Sequence, residues 1–141
     1  RLDEAKTILD ESNLELEPFY RVWIEEVQMG FMSVRNRYEA LIKEHNDNWK
    51  ILMEVANRYA FNRYYEEAIQ IYERTFEVAP KPRYTDMLAC ITYLYRSTNQ
   101  YDKAIDTCHR ELTLLKEEWN ITKGELVDEI KQNIEELKQN R

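Results

Sequence analysis

Moved along itself by 36 residues, the sequence lands on like residues. Leu52 falls on Leu88, Val55 on Ile91, Tyr59 on Tyr95, Tyr65 on Tyr101, Glu66 on Asp102, Ala68 on Ala104, Ile69 on Ile105 and Phe76 on Leu112. The matches spread over two apolar-periodic stretches and the turn between them, so a shared helix cap does not produce them. A fixed step of this length marks a repeat architecture, in which one small unit cannot bury its own apolar face and stacks on its neighbours to do so.

The units are helical. Gly occurs only at Gly30 and Gly124, and Pro only at Pro18, Pro80 and Pro82, so breakers are sparse. The stretches between them are rich in Glu, Lys, Leu, Ala and Arg, which lose little on entering a helix. Apolar residues recur at three and four. Trp49, Leu52, Val55, Ala56 and Tyr59 make one face; Ile69, Tyr72, Phe76 and Ala79 the next, after a break near Asn62-Arg63. Leu88, Ile91 and Tyr95 repeat it, then Ile105, Cys108, Leu112 and Leu115. Leu126, Val127, Ile130, Ile134 and Leu137 form a last stripe backed by charges. No stretch alternates with period two, and the predicted fold class is all-α.

These residues resemble the tetratricopeptide repeat, a helix pair of about 34 residues opening Trp-x2-Leu-Gly-x2-Tyr and continuing with Ala, an aromatic and Pro. Leu52, Val55, Ala56 and Tyr59 stand at the opening-helix positions, and Ala68, Tyr72 and Pro80 at those of the second helix and its exit. In the next unit Leu88, Ile91, Thr92, Tyr95 and Ala104 match, while Cys108 replaces the aromatic and no Pro ends the unit. The small residue at the helix crossing is Ala56 in one unit and the bulkier Thr92 in the other; the second small residue becomes Thr75 and then Glu111. The resemblance covers residues 49–116. It implies a right-handed α-solenoid of antiparallel helix pairs, about eight helices in one domain over 1–141.

The flanks follow the pattern more loosely. Residues 1–17, with Leu2-Asp3-Glu4-Ala5 and Leu9, read as a truncated half unit, and 18–46 as a degenerate unit. In the latter Ile24, Val27 and Phe31 suit a first helix and Tyr38, Ala40, Leu41 and Ile42 a shortened second one. A single long helix through Gly30 is the competing reading. Residues 48–82 and 83–119 are the two clear units, and 122–140 a closing helix. The chain opens at Arg1 with no initiator Met and no charged-then-apolar leader, which reads as a trimmed fragment.

Function classes fall away on simple grounds. A net charge of −7 argues against a nucleic-acid surface, and no apolar run nears the roughly 20 residues of a membrane span. Two glycines so far apart build no phosphate loop. His45 and His109 lie in different units, with no second His or Cys at metal-ligand spacing, so neither a metal nor a cofactor is expected. His109 follows Cys108 directly, but adjacent helical residues point about 100° apart and make no nucleophile–base pair. Glu25-Glu26, Glu66-Glu67 and Glu117-Glu118 read as solvated helical text, and no catalytic residue is assigned. Cys90 and Cys108 read as reduced, packed thiols, which points to the cytoplasm. Asn120-Ile121-Thr122 fits the glycosylation pattern, as a chance triplet does in most chains this long.

What remains is a binding surface. In a solenoid of this kind the opening helices line the concave side, and helical spacing assigns their inward residues. These are Lys50, Met53, Asn57 and Phe61 in one unit and Asp86, Ala89, Tyr93 and Arg96 in the next. Val22, Glu25, Met29 and Met32 are the N-terminal counterparts. Unbranched thioethers and aromatics among a few charges suit a groove for a protein or peptide segment; plain core packing is the alternative for the methionines. Some members of the family clamp a peptide's terminal carboxylate with two basic residues and two Asn. Here only Lys50 and Asn57 fall at such places, with Met53 where a Lys is expected, which disfavours that role. Two further readings are a peptide-sensing region of a larger bacterial-type regulator, and a structural module self-associating through its exposed terminal unit.

Overall fold

The computed structural model describes residues 14–141, so the expected half unit at residues 1–17 lies almost wholly outside the described residues. After a short 3-10 turn (Leu14–Leu16), seven α-helices follow: α1 (Glu17–Met29), α2 (Phe31–Glu44), α3 (Trp49–Phe61), α4 (Tyr65–Val78), α5 (Asp86–Ser97), α6 (Tyr101–Trp119) and α7 (Glu125–Asn140). No strand occurs among the described residues.

The turns inside the pairs are near-copies. Between α3 and α4 the Arg63 N–H donates to Ala60 O at 3.0 Å and the Tyr64 N–H to Tyr59 O at 2.9 Å. Between α5 and α6 the Asn99 N–H donates to Arg96 O at 3.1 Å and the Gln100 N–H to Tyr95 O at 2.8 Å. Arg63 and Asn99 take φ of 68° and 60°, the left-handed residue that turns the chain back after a helix C-terminus.

Residues 18–46 hold two helices joined through Gly30 alone. At φ 89° and ψ 157°, Gly30 occupies a region closed to side-chain-bearing residues, and its N–H donates to Glu26 O at 2.7 Å. The expected shortened second helix is full length, with 14 residues in α2 as in α4. Phe31 opens α2 rather than continuing α1, and Val27 is exposed. The stripe of α1 instead runs through Phe19, Val22, Ile24 and Glu26.

The chain divides into two compact units, one up to Ile71 and one from Tyr72 to Arg141, the division falling inside α4. In the first, α1 packs on α2 and α3, and α2 on α3. Phe19, Val22, Val34, Tyr38, Leu52, Val55, Ala56 and Tyr59 are buried there, with the Phe31 ring edge-on to Tyr59 at 5.1 Å and stacked on Tyr64 at 5.3 Å. In the second, α6 packs on α5 and α7. Ala104, Ile105, Cys108 and Leu115 meet Val127, Ile130, Ile134 and Leu137 there, while Leu126 is exposed and leaves the expected stripe. One residue before Val127, it lies about 100° around the helix from the face that α6 covers.

Candidate functional site

In the first unit the exposed face of α3 carries Lys50, with Met53 and Asn57 half-buried beside it. Lys50 is the second residue of α3, whose N-terminus Asn48 caps by accepting from the Lys50 and Ile51 N–H groups through its side chain. The Lys50 ammonium pairs with Glu15 at 3.0 Å, and the Asn57 amide donates to Glu54 at 3.1 Å. Met29 and Met32 stand exposed on either side of Gly30, and the Tyr64 hydroxyl donates to the Met32 sulfur. Phe61 is exposed under the Arg58 guanidinium, 4.6 Å from its ring centre. Val22 is a correction, because it is 2% exposed and belongs to the core.

In the second unit Asp86, Ala89, Tyr93 and Arg96 are all exposed along one stripe of α5, and Tyr93 is 67% exposed. The spacing of three, four and three keeps them on one face, opposite Leu88 and Ile91.

Carboxylates that looked solvated in the sequence turn out to be structural. Glu26 is buried and accepts from the Tyr38 hydroxyl at 2.6 Å, Arg58 Nε at 2.9 Å and Nη2 at 2.6 Å, and Asn62 Nδ2 at 3.3 Å. Burial alone pushes this carboxyl up, but the bonds from Arg58, Tyr38 and Asn62 and the Arg58 charge outweigh it and hold it below the ordinary range. In the second unit Glu111, 5% exposed, faces Thr92 across the α5–α6 crossing, and burial lifts its carboxyl to about 7. Cys108 on the same helix is raised to about 11, by burial first and the neighbouring Glu111 second. Both thiols are free, and burial also raises Cys90.

A further cluster lies on the outer side of α6. Arg83 donates to Glu118 through its guanidinium and its backbone N–H, which holds the Glu118 carboxyl low, and Trp119 Nε1 donates to Arg83 O at 2.6 Å. Arg110 forks onto Glu73 with two bonds of 2.7 Å. In the sequence Glu118 reads as solvated, and Arg83, Trp119, Arg110 and Glu73 are not singled out; their one signal is an arginine beside the Pro-rich exit of a unit. No group of acidic, His and Cys residues suited to a metal ion occurs among the described residues.

Paired helices, left-handed turns at a step of 36 and buried crossing residues define a TPR-like helical-repeat fold, that of an all-α solenoid. A solved structure of the TPR2B domain of yeast Sti1, in complex with pHsp70, matches it with a TM-score of 0.60 over 99% of this chain and 98% of that one, at 18% identity. At that identity the likeness shows the fold. No protein-family model matches the sequence, and no curated protein matches it.

Proposed function

We propose that the chain is a non-catalytic scaffold that captures a protein or peptide segment on the exposed faces of its opening helices. The observation that carries this reading is the stripe of Asp86, Ala89, Tyr93 and Arg96 on α5, where a large amphipathic ring stands in solvent between two opposite charges. Met29 and Met32 offer a comparable adaptable surface in the first unit. A TPR2B domain solved with a bound partner supports the class of function, though not the identity of the partner. Apolar anchors would supply most of the affinity, with Lys50, Asp86 and Arg96 setting register. The perturbed carboxylates fit a scaffold, since Glu26 is consumed by its donors and Glu111 is enclosed at a helix crossing. Two free thiols suit a reducing compartment, and we place the binding in the cytoplasm. No helix among the described residues is long and apolar enough to cross a membrane.

Affinity capture with the wild type beside the Met53→Ala/Tyr93→Ala variant tests the reading. Loss of retained proteins by a variant that melts like the wild type supports it, and the same proteins on both columns overturn it. A variant that unfolds assigns Met53 to the core, and Tyr93→Ala alone then gives the answer.

A further inference from the structure

The outer face of the second unit holds a groove of about 270 Å³ between the end of α4, the segment that follows it, and α6. Its apolar lining is Phe76 and Leu114. Arg83 lies 3.8 Å and Arg110 5.5 Å from the Phe76 ring centre, so cations already accept this ring as a partner. Neither arginine has charge to spare. Arg83 is bound by Glu118 and by Phe76 O at 3.1 Å, and Arg110 is forked onto Glu73.

The other two acids of the groove, Asp106 and Glu117, are different: neither is held in an ion pair among the described residues, and both are exposed. With their partners counted, two arginines and Lys81, whose charge acts on Glu118, meet four carboxylates here, and the charge left over is negative. Asp106 and Glu117 are eleven residues apart on one helix, close to three full turns, so they share a face about 16 Å apart with Thr113 between them.

We propose that this groove binds an extended basic segment of a partner protein through two Lys or Arg residues four positions apart. An extended chain advances roughly 3.3 Å per residue and alternates its side chains, so residues four apart share a face about 13 Å from each other, and long basic side chains span the remaining ~3 Å to the two carboxylates. The aliphatic stem of a long basic side chain lies along Phe76 and Leu114 while its head reaches an acid. This surface shares no residue with the opening-helix faces, so the two readings stand or fall separately.

Fluorescence anisotropy on the full chain tests it, with a labelled Gly/Ser peptide carrying two arginines four positions apart. The comparison probes carry two adjacent arginines, or two glutamates at the wider spacing. The spaced arginine probe is expected to bind most tightly. Asp106→Asn/Glu117→Gln should weaken it about tenfold, the worth of two surface ion pairs, and added salt should erase the difference. Thr113→Arg, which places a cation inside the groove, should abolish binding. Asp128→Asn/Glu129→Gln removes as much charge from α7 and should leave binding unchanged. Equal binding by the Asp106/Glu117 variant, an equal loss with the α7 variant, or a preference for the glutamate probe overturns the proposal. If the Asp106/Glu117 variant melts lower than the wild type, Thr113→Arg decides.

Discussion

The Thr92 hydroxyl stands 3.5 Å from the Glu111 carboxylate, each residue occupying a position where the resemblance expects a small side chain. Thr92 also donates to Leu88 O at 2.9 Å, so its one proton is engaged within its own helix. A neutral Glu111 can donate to the hydroxyl oxygen; an ionised one has little there to offset its burial.

The consequence is a stability that depends on pH near neutrality. Glu111 is raised from 4.5 in the unfolded chain to about 7 in the folded one. The folded state therefore binds the extra proton, and stability is full below about pH 4.5 and lost as pH rises through 7. The shift corresponds to roughly 3 kcal/mol. Glu111→Gln should melt higher than the wild type at pH 8 and close to it at pH 5. Parallel melting-versus-pH curves for the two proteins would falsify the assignment.

Glu26 acts in the opposite direction. Its folded pKa is lowered, so the stability it confers is present above the ordinary carboxylate range and lost on acidification. Glu26→Ala leaves Arg58 without its carboxylate and the Tyr38 hydroxyl without its acceptor, a change that costs about 3–5 kcal/mol for a buried pair. Chemical denaturation at pH 7 should show a loss of that size. A loss below about 1 kcal/mol would mean that the network is open to water.

Ala104 is fully buried where α6 crosses α5, and Ala104→Arg should unfold or severely destabilise the second unit. Added volume at a tight crossing costs roughly 1–3 kcal/mol, and an unpaired buried charge adds to it. Lys103→Ala next to it, at an exposed position, should change stability by less than about 0.5 kcal/mol. Glu67 is a poorer control than its sequence suggests, because Arg35 holds it at 3.0 Å. Equal melting shifts for Ala104→Arg and Lys103→Ala would overturn the helix register.

The step of 36 was legible because it carries the turn with it: Arg63 and Asn99 share a conformation as well as a place in the repeat. The first pair escaped the same comparison for a geometric reason. From α1 to α3 the helix starts are 32 residues apart (Glu17 to Trp49), and from α2 to α4 they are 34 (Phe31 to Tyr65), because residues 45–48 link these pairs where the longer stretch 79–85 links the next, and in the first interval one glycine also replaces the three-residue turn. A shift of 36 cannot align them. Val27 therefore read as core with Phe31, although the helix ends between them. Buried polar residues were illegible for another reason. Glu26 meets partners 12, 32 and 36 residues away, and nothing local distinguishes it from its neighbour Glu25. The exposed stripe of α5 was legible, since each of its four residues is set by spacing alone once Leu88 and Ile91 face inward.

Backbone conformation at the two kinds of turn gives the last prediction. A side chain at Gly30 meets nothing within 4 Å, so Gly30→Ala tests the conformation without a clash. At φ 89° and ψ 157° an L-residue is strained by about 1–3 kcal/mol, and the α1–α2 junction should weaken by that amount. Arg63 is the converse case. Its left-handed φ of 68° costs an L-residue roughly 1–2 kcal/mol, of which Arg63→Gly recovers all but the larger entropy glycine loses on folding. The expected outcome is a gain of about 0.5–1 kcal/mol, read as a melting temperature a few degrees higher. Gly30→Ala lowering the melting temperature while Arg63→Gly raises it would establish that both turns are held by backbone geometry. A Gly30→Ala protein as stable as the wild type would instead mean that the two helices tolerate a different angle at their junction.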